Sequence, residues 1–470
     1  MVFSSLVFLF LFLPINLALY YSVKQATVRN WILIIFSLFF YAYGEPIWVS
    51  LLVFSATVDY TLGKLIENYR GEWQSKAFLA TSVVVNLSLL GFFKYWNFFA
   101  SNGNFLMRTA LPYHEFLLPI GISFYTFQTL SYSIDVYRGD VVAQRQYHKF
   151  LLFVSLFHQL VAGPIVRYKD IAEEIEHRVV NGERFSYGVN RFVQGLAKKV
   201  IFSNTAGSVV NNVLVNGFDH ISVVGIWFGL VMYSFQIYFD FSGYSDMAIG
   251  LGQMFGFTYK ENFNYPYISR SVTEFWRRWH ISLGQFFKDY VYIPLGGSKS
   301  SRYRNIFVVW MLTGLWHGAN WNFVLWGMYF GVLLLLEKSF LLNILERLPR
   351  LFAHIYVLGG VLIGWVLFFF TDLGQGLIVF QTMFGFVEAP LITPEIVLQI
   401  KNNLAFIGVA SIASTPLLEQ CYLKYLRPFL YNRHNNIAYL TDAVIVCMVM
   451  VVVTSLLISD TYNPFLYFRF

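Results

Sequence analysis

The chain has 470 residues, of which 57% are hydrophobic and 13% are charged, and its formal net charge is +7. Soluble domains carry about 25% charged residues, so this composition, with a mean hydropathy of +0.55, excludes an ordinary soluble protein. Basic residues that gather in cytoplasmic loops account for the positive charge, and no nucleic-acid partner is predicted. We interpret the chain as a polytopic membrane protein, and the lipid bilayer is therefore a predicted partner.

A membrane-spanning helix needs about 20 apolar residues, and segments of about that length follow one another along the chain. They are 3–22, 31–43, 47–62, 77–98, 116–134, 150–166, 193–215, 222–241, 306–336, 352–371, 403–418 and 438–458. Several are short or interrupted, so we predict an all-α fold of about eleven spans plus re-entrant and in-plane helices. Basic loops follow the first, third and fifth segments, which predicts an N-terminus outside the cytoplasm.

Two stretches, 167–191 and 258–304, are too polar to span a membrane. We interpret 258–304 as an amphipathic segment on the cytosolic side. Because no long linker or internal repeat interrupts the chain, residues 1–470 are predicted to form one integrated membrane domain. The two cysteines, Cys421 and Cys447, have no metal-ligand spacing.

A basic and aromatic segment runs from Thr273 to Gly297 and reads TEFWRRWHISLGQFFKDYVYIPLGG. Thr273 is expected to cap a helix that lies at the membrane surface. Two roles are open for Arg277 and Arg278, namely contact with lipid headgroups and contact with the phosphates of an anionic cofactor such as coenzyme A. In the second case His280 would point towards the protein interior.

Two acidic residues, Asp240 and Asp246, close an otherwise uncharged span in YFDFSGYSDMAIGLG. Such residues can relay protons, but they can also cap helices or form buried pairs with arginine. The sequence favours the structural role by about two to one. His158 precedes Gly163 and Pro164, which are expected to break or redirect a short helix.

The most unusual residue is His317, which lies in GLWHGANW, Gly314 to Trp321, within an apolar run without any Asp, Glu, Lys or Arg. The two glycines predict a bend that would place His317 inside the protein. Ionisable residues at membrane depth are functional-site candidates by default, but an interfacial histidine bonded to a carbonyl is equally consistent with the run. No second histidine or carboxylate has ligand spacing to it, so no metal is predicted.

Several motifs occur in a fixed order along the chain, namely GISFYTFQTLSYSIDVYRGD, LVAGPIVRYKD, YFDFSGYSDMAIGLGQMFGF, ENFNYPYISRSVTEFWRRWHISL, YIPLGG, GLWHGANWNFVLWG and the closing NPFLYFRF. Together they resemble the membrane-bound O-acyltransferase (MBOAT) family, and within it the bacterial alginate O-acetyltransferase membrane subunits. The resemblance runs from Met1 to Phe470. It implies helices arranged around a tilted central funnel.

The resemblance also implies a function and a site. His317 would be the principal catalytic histidine and His280 the second, with Trp316, Asn320, Asp240 and Asp246 as supporting residues. No permanently bound cofactor is implied. A cytosolic donor, acetyl-CoA, would supply the acyl group, and Arg277 and Arg278 would bind its phosphates.

The expected location is a bacterial inner membrane, and the expected partner is an external O-acetyltransferase that modifies a glycan. Relatives acetylate alginate, peptidoglycan or cellulose, and a more distant branch transfers D-alanine to teichoic acids. A proton-coupled transporter is the rival class, and a scaffold that recruits an external enzyme is a third.

The chain departs from the family pattern at two positions. Relatives usually have proline where this chain has His158, which implies that His158 is not required for the chemistry. Relatives often have histidine at the position of Phe330, which implies that this extra histidine is dispensable or that the acceptor is handled differently.

Overall fold

The computed structural model describes residues 1–114, 116–161, 163–218, 221–426, 435–459 and 466. Within these ranges the regular secondary structure is helical and contains no strand, which confirms the predicted all-α class. The closing motif, Asn463 to Phe470, lies outside the described residues apart from Leu466.

The α-helices of the described ranges are numbered here in chain order. They are α1 (Leu13–Ser22), α2 (Ala26–Gly44), α3 (Val49–Asn68), α4 (Trp73–Leu90), α5 (Trp96–Met107), α6 (Ile122–Arg138), α7 (Tyr147–Ser155), α8 (Phe157–Leu160), α9 (Tyr168–Glu176), α10 (Gly182–Ala197), α11 (Asn204–Val210), α12 (Val223–Phe255), α13 (Val272–Arg278), α14 (Ile281–Phe287), α15 (Arg302–His317), α16 (Trp321–Leu336), α17 (Leu342–Arg347), α18 (Arg350–Phe369), α19 (Leu373–Met383), α20 (Pro394–Ala413), α21 (Leu417–Cys421) and α22 (Asn435–Ser459). Short π-helical turns precede or continue several of them, and Pro266–Ile268 is a 3₁₀ turn.

Eight helical stretches within the described ranges are long and apolar enough to cross a membrane. They are Ala26–Gly44, Val49–Asn68, Trp73–Met107, Val223–Phe255, Trp321–Arg347, Arg350–Phe369, Pro394–Ala413 and Leu440–Ser459. The chain is therefore an all-α, multi-pass membrane protein. The further spans that would bring the number to about eleven stay a prediction.

Two predicted segments are divided in the structure. The run 306–336 separates into α15 and α16, as its glycines predicted. The segment 150–166 holds α7 and the single turn α8, which are separated at Leu156, where ψ is 113° and outside the helical range. Neither segment is one continuous crossing helix.

The predicted end of a span at residue 241 is wrong, because α12 continues to Phe255. Its two carboxylates have cationic partners. Asp240 Oδ1 accepts from Lys199 Nζ at 2.6 Å, and Asp246 Oδ1 accepts from Arg191 Nη2 at 2.7 Å. A buried carboxylate is costly unless it is paired, and these partners allow the helix to carry both acids inside the protein.

The chain divides into two compact units. The first comprises Met1–Phe192 and Tyr244–Lys260, and the second comprises Val193–Gly243 and Glu261–Phe470. Each unit has its own buried interior. The expectation of one integrated domain stays a prediction.

The interior of the first unit contains a polar network centred on Asp59 of α3. Its carboxylate accepts hydrogen bonds from the hydroxyls of Ser82 and Ser133 and, at 2.7 Å, from Asn86 Nδ2. Asn86 Oδ1 in turn accepts from Thr129 Oγ1 at 3.0 Å. Asp59 is fully buried, so these donors replace the water that the carboxylate loses. The network joins α3, α4 and α6 by directed bonds in addition to apolar packing.

The second unit contains the helical hairpin of α15 and α16. A methyl group at Gly314 would lie 2.3 Å from the carbonyl oxygen of Phe323, and one at Gly327 would lie 2.4 Å from that of Trp310. Only hydrogen at these two α-carbons lets the two backbones come so close. Small residues play this part in membrane helix pairs generally.

We predict that Gly314→Ala destabilises the second unit, because the new methyl group meets backbone that no side-chain rotation can move. Overpacking of this kind costs about 1–3 kcal/mol. Gly359→Ala is the matched control, since nothing lies within 4 Å of a methyl group there and alanine favours a helix by about 1 kcal/mol. Thermal unfolding in detergent should show a lowered midpoint for Gly314→Ala alone. Equal midpoints for the two variants would contradict the hairpin contact.

Candidate active site

His317 is the last residue of α15, and 5% of its surface is exposed. Gly318 follows with extended backbone, and α16 begins at Trp321. A methyl group at Gly318 would lie 2.2 Å from the ring of Phe323. The glycine therefore lets the chain reverse directly after the histidine and keeps the imidazole at the buried end of the hairpin.

Aromatic rings form the walls around His317. The centroids of Trp316, Trp326 and Phe368 lie 5.0, 5.0 and 5.2 Å from the imidazole centroid, with interplanar angles of 73° to 80°. Edge-to-face packing at these distances is favourable for aromatic pairs. The walls fix the plane of the imidazole and restrict water around it.

His280 lies between α13 and α14, and 2% of its surface is exposed. Its backbone is left-handed, with φ 46° and ψ 55°. This conformation costs a residue with a side chain about 1–3 kcal/mol and persists only where the surroundings enforce it. A buried, strained histidine is a functional candidate on this observation alone.

The structure brings the two predicted histidines together in the second unit. The ring of Trp316 lies 5.9 Å from His280 and 5.0 Å from His317. Burial lowers the pKa of His280 well below its ordinary value, and the nearby His317 lowers that pKa further. His280 is therefore a neutral imidazole at neutral pH. Two imidazoles joined by one indole wall, with His280 uncharged, suit proton transfer.

Glu337 is a positioning residue that the sequence did not reveal. Its buried carboxylate accepts hydrogen bonds from the backbone N–H groups of Val272 and Thr273, at 2.6 and 2.8 Å, and from the Thr273 hydroxyl, at 2.6 Å. It therefore fixes the first turn of α13, which leads to His280. The one sequence signal for this role was the position of Glu337, an acid directly after the apolar run 306–336.

The predicted cap of α13 is corrected by the structure. Ser271, not Thr273, is the N-cap, because its hydroxyl accepts from the backbone N–H of Glu274 at 3.0 Å. Thr273 lies inside the first turn and donates its hydroxyl to Glu337. The Ser-x-x-Glu spacing of a capping box was present in the sequence.

The two arginines of α13 have different surroundings. The Arg278 guanidinium pairs with Glu274 at 2.9 Å and donates to the Asn264 carbonyl at 3.1 Å. Arg277 is exposed and forms no ion pair with another described residue. Arg278 thus holds the chain around α13, and Arg277 is the one available to an external anion.

The predicted supporting residues have varied environments. Trp316 touches both histidines, as described above. Asn320 precedes α16 and donates its amide to the Thr371 carbonyl at 3.4 Å, and no contact of Asn320 with His317 is described. Asp240 also accepts from the backbone N–H of Leu466 at 2.9 Å, so its contacts hold Leu466 against α12. Asp246 belongs to the first unit.

The two departures from the family pattern are both buried. His158 lies in the first unit, where its Nδ1 is 2.5 Å from the Tyr259 hydroxyl. Phe330 packs against Trp276 and Trp326 at centroid distances of 4.9 and 5.3 Å, within an apolar aromatic cluster. No group of three His, Cys, Asp or Glu residues able to hold a metal occurs among the described residues.

Comparison with known proteins gives consistent matches. Residues 143–379, which include both histidines, match the model of the membrane-bound O-acyltransferase family. The probable alginate O-acetylase AlgI of Azotobacter vinelandii is 42% identical over 395 residues, covering 82% of this chain and 78% of that protein. The peptidoglycan O-acetyltransferase of Helicobacter pylori is 29% identical over 522 aligned positions, covering 100% and 98%. The teichoic acid D-alanyltransferase of Bacillus subtilis is 27% identical, covering 57% and 69%.

We predict that Glu337→Gln loosens α13, because one carboxylate oxygen becomes an NH₂ group that faces N–H donors. Each lost hydrogen bond to a charged group costs about 1.5–3 kcal/mol. Thermal unfolding should show a lowered midpoint. Glu346→Gln, at an exposed glutamate of α17, is the control and should leave the midpoint unchanged. An unaltered Glu337→Gln midpoint would remove Glu337 from the support of α13.

Proposed function

The chain belongs to the membrane-bound O-acyltransferase family, and on that basis we propose that it is the membrane subunit of an O-acetylation system. It takes acetyl groups from acetyl-CoA in the cytosol and passes them across a bacterial inner membrane. A partner O-acetyltransferase outside completes the transfer to a polysaccharide. The observation that carries the proposal is the buried pair of His280 and His317 around Trp316, within the residues that match the family.

Alginate is the first choice of acceptor. The relatives named alginate O-acetylase share 42% of residues over 82% of this chain. The relative named for peptidoglycan shares 29%, and the D-alanyltransferase of Bacillus subtilis shares 27% over 57% of this chain. D-alanyl transfer is accordingly the weaker alternative. Among the glycans that could be acetylated, we rank alginate first and peptidoglycan or cellulose next.

In the proposed reaction His317 is the general base. A hydroxyl group that receives the acetyl group at this site, before the partner passes it to the polysaccharide, attacks the carbonyl carbon of the acetyl thioester while its proton moves to the imidazole. The new C–O bond forms, the C–S bond breaks, and the proton leaves with the thiolate, so the products are an acetyl ester and coenzyme A with a free thiol. The aromatic walls around His317 support this role, because restricting water protects the thioester from hydrolysis.

A transporter that relays protons through His317, Asp240 and Asp246 is less well supported. Asp240 and Asp246 each pair with a cation, Lys199 and Arg191 respectively. Secondary transporters usually contain internal repeats with paired broken helices, and the sequence has no such repeat.

We predict that His317→Ala abolishes acetyl transfer while the protein stays folded in the membrane. General base catalysis contributes about 10²–10⁴-fold, so the rate of acetyl transfer from labelled acetyl-CoA should fall by at least this factor. The measurement is glycan acetylation in membranes that contain the partner system.

The matched control for that substitution is His354→Ala. His354 is half-buried on α18 and bonds the Ser269 carbonyl at 3.0 Å. It lies 14 residues from Phe368, about 21 Å along the helix. Its variant should keep nearly full activity. Retained transfer by His317→Ala, or equal losses in both variants, would contradict the catalytic role.

We further predict that Arg277→Ala raises the KM for acetyl-CoA several-fold with little change in stability, because it removes an exposed cation that binds phosphate. The effect should weaken at high salt, where charge interactions are screened. Arg278→Ala should lower the unfolding midpoint instead, since it breaks the contacts with Glu274 and Asn264. If Arg277→Ala leaves the KM unchanged at low salt, this arginine does not bind the donor.

A further inference from the structure

Asn262 is a fully buried residue in the connection between α12 and α13. Its side-chain oxygen lies 3.1 Å from the backbone nitrogen of Ser282, 2.8 Å from the Ser282 hydroxyl and 3.2 Å from Nδ1 of His280. Its backbone carbonyl accepts from the N–H of Ile281 at 3.0 Å. One residue therefore contacts three consecutive residues at the start of α14.

These contacts determine which nitrogen of His280 carries the proton. A backbone N–H only donates, so the Asn262 atom that faces Ser282 must be the carbonyl oxygen of the amide. The same oxygen faces Nδ1 of His280, and an oxygen without hydrogen only accepts. Nδ1 must then be the protonated nitrogen of the neutral ring, which leaves the lone pair on Nε2.

The same contacts hold the backbone of His280 in its left-handed conformation. The residues directly after it are bound to Asn262 through the N–H groups of Ile281 and Ser282. The strain of the left-handed backbone is thereby offset locally. Both the ring tautomer and the backbone conformation of His280 therefore depend on Asn262.

We propose that Asn262 is a positioning residue that fixes His280 as the Nδ1–H tautomer and so presents Nε2 to the reaction as a hydrogen-bond acceptor. This inference rests on the proposed function. It also narrows the role of His280, because an acceptor at Nε2 can orient an O–H, S–H or N–H group but cannot donate to the thioester carbonyl. The sequence motif ENFNYPY alone does not show that Asn262, and not its neighbour Asn264, positions His280.

Asn262→Asp is the informative substitution, because a carboxylate accepts the same hydrogen bonds but adds a negative charge beside Nδ1. An adjacent carboxylate favours the imidazolium and raises the pKa of His280, so Nε2 becomes a donor at a higher pH than in the wild type. His317 is the titratable neighbour whose charge acts on His280 among the described residues, and it is unchanged in the variant. The acid limb of the kcat profile should move to higher pH while the KM for acetyl-CoA stays nearly constant.

Asn262→Ala removes the acceptor without adding charge. The ring then lacks the acceptor that fixes its tautomer, and kcat should fall by about 10–100-fold, the effect that the loss of an orienting partner has at metal-ligating histidines. Asn264→Asp and Asn264→Ala are the matched controls. Asn264 is exposed, and its described bonds, which are to Arg278, use only its backbone. The controls should keep the wild-type pH profile and kcat.

The tautomer is also measured directly on the wild-type protein, which covers the case in which the Asn262 variants do not fold. Histidine labelled with ¹⁵N, with the His280 signals assigned by their loss in His280→Ala, should show a protonated Nδ1 and an unprotonated Nε2. The reverse assignment, or an Asn262→Asp profile identical to the wild type, would overturn the inference. If His317→Ala and His280→Ala both retain acetyl transfer, the proposed function fails, whatever the tautomer.

Discussion

Close backbone contact between α15 and α16 is the interaction on which the candidate site depends. Gly314 and Gly327 allow a separation that any side chain would prevent, and this contact holds the two halves of the apolar run as a hairpin. His317 lies at its turn, between rings contributed by α15, α16 and α18. A membrane offers little hydrophobic driving force between helices, so such steric fit must supply the order of the candidate site.

A second constraint governs the polar groups inside the protein. Each buried acid described above has partners that replace water. Glu337 binds the first turn of α13, Asp240 binds Lys199, and Asp59 binds hydroxyl and amide groups. Because an unpaired buried charge is expensive, these residues define which helices must meet. In the second unit, the hydrogen bonds to Glu337 position α13, and α13 in turn positions the strained backbone of His280.

The candidate site therefore combines rigid apolar walls with a few directed bonds. The walls around His317 contain no described ion pair, and His280 is held by the neutral amide of Asn262. The amide of Asn262 adds no charge beside the imidazole of His280. The family match over 143–379 supplies acyl transfer as the reaction class. The geometry separates two residues that the motifs alone leave equivalent, because Arg278 pairs with Glu274 whereas Arg277 is exposed.

The sequence by itself determined the membrane class, the all-α fold and the broken run at Gly314 and Gly318, because composition and glycine positions act locally. The catalytic roles of His317 and His280 stay a prediction that comes from the family resemblance. It misplaced the end of α12 and the cap of α13, and it did not identify Glu337 or Asn262. The cap of α13 was readable from the local Ser-x-x-Glu spacing, whereas the other three features depend on partners far along the chain, such as Lys199 for Asp240 and Thr273 for Glu337. Only the tertiary structure decided them, because the cost of a buried polar group is set by the partner that folding brings to it.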